Sequence, residues 1–294
     1  MIAGRKPGLD CWEGATFSDM ALLRMPEPYA FELSTERYRA FGPDLANLWH
    51  EDALRRVVEG REVRIGQADG QVDVEPLDAA IEPVVRKLLG AEFDLDEFYG
   101  FAATDTTLGA LVAELRGLRP PVAVEPFESL VTSITAQQVS LRAAFAIRNR
   151  LIERFGVRAR HAYAFPTRER MALAEPEELT MLGFSGRKAE YVVGLARSDL
   201  DLAGLGVLSD DEIKDTLTAL PGIGEWTADW FLARHLARPR AWPAGDLAVR
   251  KAVSRFYGEG RDLSINEVRA LGERFAPFEN LSAHYLLAGL MRGT

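Results

Sequence analysis

The sequence predicts a mostly α-helical protein with an α+β domain at its N-terminus. Alternation of apolar and polar residues, which is typical of half-buried strands, occurs in Glu62–Ile65 and Gln71–Glu75. From about residue 105 onward this alternation is absent, and apolar residues recur at the spacing of a helix face. We therefore expect an α+β domain over residues 1–104 and a helical core over residues 105–294.

The N-terminal domain is predicted to contain a small antiparallel sheet and about two helices. Segment 66–70 joins the two alternating segments and ends in Asp-Gly, which is a strong signal for a tight hairpin turn. Phe31–Leu33 is predicted as a further strand. Residues 46–58 and 77–89 have apolar side chains at helical spacing, so both segments are predicted as helices.

Helix signals follow one another with short connections through the second part of the chain. The predicted helical segments are 108–118, 127–155 (as one helix or two), 186–196, 209–219, 225–236, 247–256, 265–275 and 281–290, with two more helix starts near residues 166 and 175. Some boundaries have a local cause: Pro120 and Pro121 end the first helix, and Ser209 with Glu212 forms a capping box.

The composition excludes several kinds of site and location. Cys11 is the single cysteine, so neither an internal disulfide nor a four-cysteine iron–sulfur cluster can form. The four histidines lack the spacing of a metal site. No run approaches the ~20 apolar residues of a membrane span, and residues 1–6 are not followed by the apolar segment of a secretory signal. We therefore expect a cytoplasmic protein with no membrane partner.

The net charge of −9 is unevenly distributed along the chain. Residues 1–100 hold 20 acidic and 11 basic side chains, so the remainder is neutral. Within that remainder, residues 142–160 and 234–255 each contain six basic side chains and one acidic side chain. Solvated helix faces would give the same pattern, but these basic segments are also compatible with local binding of phosphate groups.

The most informative segment is Leu220–Ala228, which reads L-P-G-I-G-E-W-T-A. Pro221 ends the preceding helix, while Gly222 and Gly224 permit a tight turn with exposed backbone. The helix that begins near Glu225 then presents free N–H groups at its start, which is a favourable site for a DNA phosphate. Such a site would let an acidic protein hold DNA through backbone amides. A plain packing corner between two helices is the alternative.

The hairpin is followed, 22 residues after Gly224, by Asp246 in the segment Ala241–Leu247, and together they resemble the helix-hairpin-helix DNA glycosylases. Segments 126–140, 165–189 and 283–286 are similar to the bacterial 3-methyladenine DNA glycosylase II branch of that superfamily, which acts on alkylated bases. The resemblance covers about residues 105–290 and implies a glycosylase core of two helical subdomains that flank a cleft for DNA and base. It places the hairpin in residues 209–236 and the catalytic loop in residues 240–247.

Asp246 matches the catalytic aspartate of the family. It precedes the amphipathic helix that starts at Leu247, so it is also a predicted N-cap, where the helix dipole favours a carboxylate. Cleavage of a glycosidic bond develops positive charge on the sugar, which a carboxylate stabilises while it orients or deprotonates water. A capping role without catalysis is the alternative, and the two roles are compatible.

The resemblance implies removal of damaged bases, above all alkylated purines, from double-stranded DNA. Bifunctional relatives carry a lysine nucleophile at the position of Trp226, so this residue implies monofunctional chemistry that leaves an abasic site. Trp226 and Leu287 are assigned to the base pocket, where flipped bases stack on aromatic or apolar side chains. Further candidates for the cleft are Trp12, Trp49, Trp230 and Trp242, although core packing is the expectation for most of them.

The resemblance also assigns contacts to DNA and to an ion. The predicted DNA-binding residues are Gln138, Pro221, Gly222, Ile223, Gly224 and Thr227. Among these, Gln138 is expected to fill the gap left by the flipped nucleotide, with Gln137 supporting its loop. The backbone carbonyls of Thr218, Leu220 and Ile223 are expected to bind a structural Na⁺ or K⁺ ion, and no other cofactor is required. The family implies a monomer.

Two other functions are left open by the sequence. Leu287 and Glu279 replace an aromatic and a basic residue of the branch, which favours a different lesion such as a deaminated or oxidised base. The second alternative is a helix-hairpin-helix protein that binds damaged DNA without catalysis. Asp246 argues against this alternative, because an anion that faces DNA does not help a protein that only binds.

Overall fold

The computed structural model describes residues 21–293, so the predictions for residues 1–6, Cys11 and Trp12 lie outside the described residues. The strands are β1 (Ala21–Leu23), β2 (Leu48–His50), β3 (Ala53–Val58), β4 (Arg61–Ala68), β5 (Gln71–Glu75), β6 (Val157–Arg158) and β7 (Tyr163–Ala164). The helices are α1 (Phe31–Thr35), α2 (Arg37–Ala40), α3 (Ile81–Leu88), α4 (Leu95–Ala102), α5 (Thr106–Glu114), α6 (Pro126–Ala136), α7 (Leu141–Phe155), α8 (Arg168–Ala172), α9 (Pro176–Met181), α10 (Gly186–Arg197), α11 (Asp210–Thr218), α12 (Glu225–Arg234), α13 (Leu247–Tyr257), α14 (Ile265–Gly272) and α15 (Glu279–Arg292). Short 3₁₀ helices occur at Ala203–Val207 and Glu273–Phe275. None of the helices in this part of the chain has the length and apolar character needed to cross a membrane.

The strands β1 to β5 form one antiparallel sheet with the order β1-β5-β4-β3-β2. The predicted hairpin is confirmed as β4–β5, although β4 extends as far as Ala68. The two turn residues, Asp69 and Gly70, have φ values of 51° and 78°. Two successive positive φ values are characteristic of a type I′ turn, whose twist matches that of the paired strands.

Two predictions for the N-terminal region are wrong. Residues 46–58 contain the strands β2 and β3 and not a helix. The apolar spacing of this segment fits either structure, and the pairing of β3 with β4 decides between them, because strand preference depends on the neighbouring strands. Phe31–Leu33 belongs to helix α1 and not to a strand, and the Phe31 ring is buried next to Trp49.

The buried apolar residues form two clusters, one within residues 23–89 and one within residues 93–286, and the domain boundary expected after residue 104 stays a prediction. In the first, α3 confirms the helix predicted within residues 77–89 and places Ile81, Val85 and Leu88 in one cluster with side chains of the sheet. The second and larger cluster extends over the helices from α4 to α15.

The helical part follows the predicted elements, apart from one added ribbon of two short strands. Segment 127–155 is divided into α6 and α7, because Ser140 caps α7 and its hydroxyl accepts from the amide of Ala143 at 3.3 Å. A two-stranded ribbon, β6–β7, follows α7 where the sequence predicts no strand. The ribbon adjoins the N-terminal region, since the amide of Tyr163 donates to the carbonyl of Leu45 at 2.8 Å. Two alternating residues are too few to reveal such a ribbon in the sequence.

Buried charges join the N-terminal sheet to α6 and α7. The carboxylate of Glu128 accepts from Arg56 at 2.7 Å and from Arg148 at 2.5 Å, and Arg148 also pairs with Asp44. All four side chains are buried. Burial raises the pKa of Glu128, but the charges of Arg56 and Arg148 outweigh this effect and hold the pKa below its ordinary value. Two cations and two anions therefore balance one another at the junction.

Candidate functional site

A cleft of about 460 Å³ lies between the N-terminal domain, α6 and α7, and the helices around Asp246. Its volume falls within the range of ligand pockets, which is about 300–1,000 Å³. The cleft brings together three of the predicted site residues, Trp226, Asp246 and Leu287. It also contains Trp230, one of the further candidates for the cleft, and three residues that the sequence did not assign to a site, namely Arg37, Arg234 and His284.

The predicted hairpin joins α11 to α12. Helix α11 begins with the predicted capping box of Ser209 and Glu212. Gly222 has a φ of 83°, and a Cβ at this position would lie 2.1 Å from the ring of Tyr191, so the turn requires glycine. Helix α12 begins after Gly224, which is exposed and provides no capping side chain. The first amides of α12 are therefore available to an anion, in agreement with the sequence.

Asp246 is the N-cap of α13, as predicted, and both of its carboxylate oxygens are held by donors. Oδ1 accepts from the amides of Ala248 at 2.8 Å and Val249 at 3.1 Å. Oδ2 accepts from Nε1 of Trp226 at 2.7 Å and from Nε1 of Trp230 at 3.0 Å. The amides of α13 and the indoles of α12 thus fix both the position and the rotation of the carboxylate.

The arrangement around Asp246 suits a group that acts by its negative charge. All four contacts come from N–H donors, so the carboxylate is an acceptor on every side. It lines the cleft between partly apolar walls, where charge interactions are stronger than in water. Such a carboxylate can stabilise positive charge on a bound molecule and orient a water molecule without first reorganising.

The structure places Trp226 and Leu287 in the wall of the cleft, where both are half-buried. Trp230 joins them, and the signal for it is present in the sequence. Residues four apart lie on one face of a helix, so Trp226 and Trp230 both point toward Asp246. Trp49 and Trp242 do not line the cleft.

The loop between α6 and α7 is tied to the hairpin. Nε2 of Gln137 donates to the carbonyl of Gly222 at 2.9 Å and to Oγ1 of Thr227 at 3.3 Å. Lys188 supports the loop from α10, since its Nζ donates to the carbonyl of Gln137 at 2.5 Å. Gln138 follows at the tip with a φ of 54°, and its side chain is exposed. The expectation that Gln137 buttresses the loop agrees with these contacts.

The positions of Thr227 and Ile223 correct two predicted DNA contacts. Thr227 is 1% exposed and Ile223 is 4% exposed, so neither side chain can reach DNA. Both amides are also occupied, because Thr227 donates to the carbonyl of Gly224 and Ile223 donates to that of Leu220. These residues hold the hairpin in shape through packing. The exposed backbone at Pro221 and Gly224 is the part of the hairpin that a DNA strand can approach.

The predicted ion at the hairpin stays a prediction. No group of His, Cys, Asp or Glu side chains within residues 21–293 could hold a metal ion. The carbonyl of Leu220 accepts from the amide of Ile223 at 3.2 Å and keeps one lone pair for a cation. The donor set of Thr218, Leu220 and Ile223 is thus compatible with Na⁺ or K⁺.

Arg37, Arg234 and His284 approach the cleft from α2, α12 and α15. The guanidinium carbon of Arg234 lies 3.5 Å from the ring centroid of Trp230. Burial lowers the pKa of Arg234 and the charge of Arg37 lowers it further, while the charge of Asp246 raises it. Burial and both arginines likewise lower the pKa of His284. Apart from the spacing of Trp230 and Arg234, no sequence signal links these residues, because they lie far apart in the chain.

Glu279, one of the two departures from the branch pattern, lies outside the cleft. Its side chain is buried, and Oε1 accepts from Nε of Arg240 at 2.9 Å. This ion pair accounts for an acidic residue at the start of α15. The identity of residue 279 therefore says nothing about what the cleft holds.

Comparisons with known proteins agree on one family. The model of the HhH-GPD superfamily base excision DNA repair proteins matches residues 131–277. The chain is 30% identical over 214 residues to DNA-3-methyladenine glycosylase 1 of Schizosaccharomyces pombe, and the alignment covers 70% of this chain and 89% of that protein. It is 29% identical over 238 residues to DNA-3-methyladenine glycosylase 2 of Escherichia coli, and the alignment covers 75% of this chain and 81% of that protein.

A solved structure extends the likeness to nearly the whole chain. The 3-methyladenine DNA-glycosylase from Archaeoglobus fulgidus superposes with a TM-score of 0.81 at 29% sequence identity. The match covers 92% of this chain and 97% of that one, so it includes the N-terminal sheet as well as the helical part.

Proposed function

Because the chain belongs to the HhH-GPD superfamily of base excision DNA repair proteins, we propose that it is a DNA glycosylase acting on alkylated bases in duplex DNA. The names of its relatives support this substrate class, since the two curated proteins and the solved structure are all described as 3-methyladenine DNA glycosylases. The observation that carries the proposal is the carboxylate of Asp246, held in the cleft by Trp226 and Trp230.

The geometry accounts for the steps of such a reaction. The exposed amides at the start of α12 hold a backbone phosphate, and a flipped base enters the cleft beside Trp226 and Leu287. As the bond between C1′ and the base nitrogen breaks, the negative charge of Asp246 stabilises the cationic sugar. The base leaves with the electron pair of the broken bond, and water adds to C1′ and gives its proton to the carboxylate of Asp246. A base that is cationic in DNA leaves as a neutral molecule, and an uncharged base takes up one proton as it leaves.

The proposed chemistry is monofunctional, which means hydrolysis without cleavage of the DNA strand. The bifunctional route needs a lysine amine that attacks C1′. At the matching position the chain has Trp226, whose indole cannot do this, and no lysine is found among the cleft residues of the described chain.

A base-release assay tests the proposed function. Purified protein is incubated with methylated duplex DNA and with a duplex that contains a single 1,N⁶-ethenoadenine, and free bases and strand breaks are measured. We expect release of an alkylated base from at least one duplex, with strand breaks only after treatment with alkali. Strand breaks without alkali would overturn the monofunctional route, and no release from either duplex would overturn the alkylated-base assignment.

We expect Trp226→Phe to slow base release by roughly tenfold or more, because a hydrogen bond to a charged group contributes about 1.5–3 kcal/mol. Phenylalanine keeps an aromatic face in the cleft but cannot donate to Oδ2 of Asp246. The single-turnover rate should therefore fall while the affinity for lesion DNA changes little. Trp49→Phe, which alters an indole outside the cleft, is the control and should leave the rate unchanged. An unaltered rate in Trp226→Phe would show that Trp226 does not position the carboxylate.

The second candidate function is excision of a deaminated or oxidised base, and Leu287 favours it. An aliphatic residue in the cleft provides less stacking for a cationic alkylpurine than an aromatic ring would. A duplex that contains hypoxanthine or 8-oxoguanine opposite cytosine or thymine distinguishes this candidate.

We further propose that the protein acts as a cytoplasmic monomer on DNA, since one cleft and one hairpin suffice for one nucleotide.

A further inference from the structure

Arg234 is a cation without an acceptor in the wall of the cleft. No ion pair joins Arg234 to an acidic side chain within residues 21–293, and its Nε is buried without a hydrogen-bond partner. The nearest acid, Asp246, does not neutralise it directly, because both oxygens of that carboxylate accept from other donors. Burial lowers the pKa of Arg234, yet an arginine does not lose its proton in a protein. A charge of this kind is costly to bury unless a bound molecule supplies the acceptor.

Two more residues of the cleft, Arg37 and His284, interact electrostatically with Arg234. Arg37 lines the same cleft from the N-terminal domain, and its positive charge acts on Arg234. Nε2 of His284 is also buried without a hydrogen-bond partner. Burial and the two arginines lower the pKa of His284, so its imidazole is neutral near pH 7. The cleft thus contains two cationic donors and one neutral ring with open hydrogen-bonding capacity.

The indole of Trp230, which lies beside these groups, already contacts other side chains of the protein. A cationic base would gain most from stacking on the face of a tryptophan. The guanidinium of Arg234 covers a face of Trp230 at 3.5 Å, and the ring of His284 lies 6.0 Å from the same indole. The edge of Trp230 is engaged as well, through the hydrogen bond to Asp246. A positively charged base edge that lies next to Arg234 and Arg37 would therefore meet like charges, and Trp230, which is 4% exposed, offers it no free face.

A DNA phosphate is a less suitable partner for Arg234. Arg234 is ten residues beyond Gly224, so it lies about 15 Å along α12 from the exposed amides of the hairpin. It is half-buried in the cleft beside Trp230 and Asp246, where the base and its sugar enter. An atom on the edge of the flipped base is therefore a better acceptor for Arg234 than a phosphate oxygen.

We propose that Arg234 and Arg37, together with His284, select uncharged damaged bases. The guanidinium groups donate to nitrogen or oxygen acceptors on the base edge, and they repel bases that carry a formal positive charge. This inference rests on the proposed function and adds the charge class of the preferred substrate. It also assigns a role to the N-terminal domain, which supplies Arg37 to the pocket.

The test compares two single-lesion duplexes, one with uncharged 1,N⁶-ethenoadenine and one with cationic 7-methylguanine. The measured quantity is the ratio of the single-turnover rate on the first duplex to that on the second. We expect Arg234→Met to lower this ratio at least about tenfold, because the like-charge repulsion is removed. Methionine keeps a side chain that packs on the indole of Trp230. Arg234→Lys, which retains the charge, is the matched control and should hold the ratio closer to that of the wild type.

Arg37→Met provides an independent arm, since it does not contact Trp230 and should lower the ratio in the same direction. An unchanged ratio in both methionine variants would overturn the proposal. The proposal would also be overturned if the single-turnover rate fell equally on both lesions and undamaged duplex bound more weakly, because that pattern indicates a phosphate contact. Absence of base release by the wild-type protein on every lesion would instead overturn the proposed function.

Discussion

Asp246→Asn is expected to lower the rate of base release by at least about 10³-fold, because it removes both the charge that stabilises the sugar cation and the acceptor that orients water. Asparagine has nearly the same shape, so the loss reports on charge. Its single oxygen can face either the amides of α13 or the indoles of Trp226 and Trp230, but not both sets. Single-turnover base release and equilibrium binding to a lesion duplex are the two measurements. Binding should be equal or tighter, since an anion has been removed from a surface that faces DNA.

A matched control separates catalysis by Asp246 from its capping role. Asp94 caps α4 in the same way, accepting from the amides of Asp96 and Glu97, but it lies outside the cleft. Asp94→Asn should therefore show the cost of an altered cap without a loss of activity. Full base release by Asp246→Asn would refute the mechanism, and an equal loss in both variants would mean that the effect is structural.

Glu128→Gln is expected to lower the free energy of unfolding by about 3 kcal/mol, because it leaves two buried arginines with one fewer anion. The side chain of Glu128 is 7% exposed and holds Arg56 and Arg148 together at the junction with the N-terminal sheet. Urea unfolding at pH 7 measures the effect. The exposed pair of Glu36 and Arg292 provides the control, and Glu36→Gln should cost less than about 1 kcal/mol.

The difference between wild type and Glu128→Gln should depend on pH. The pKa of Glu128 is held below its ordinary value of 4.5 in the folded protein, so folding favours its ionised form. Its contribution to stability is therefore complete above about pH 4.5 and is lost as the pH falls through the folded pKa. The two proteins should become more alike on acidification. A difference that stays constant down to pH 3, or a difference near zero at pH 7, would show that the ion network does not hold the junction.

The features that the sequence could predict are those that depend on a few adjacent residues. Gly222 is required by a local φ, and Asp246 caps α13 through amides two and three residues away. The turn at Asp69 and Gly70 is likewise encoded in two residues. Each of these features has a strong local preference, so it is visible before the fold is known.

Prediction failed where neighbours in space decide the outcome. Residues 46–58 have an apolar spacing that suits a helix, and they form strands because β4 is available for pairing. Thr227 belongs to the hairpin motif, but packing around α12 removes its side chain from the surface. Neither result can be derived from local preference, since both depend on contacts between distant segments.

The sequence by itself determined the hairpin, the carboxylate that follows it and the family to which they point. Only the tertiary structure decided what surrounds that carboxylate. The indoles that hold Oδ2 are 20 and 16 residues from Asp246, and Arg37 approaches the pocket from α2, which is far away in the chain. Local hydrogen bonds are set by backbone geometry over one turn, whereas the charge and shape of a pocket arise when distant segments pack together, and packing depends on the whole chain.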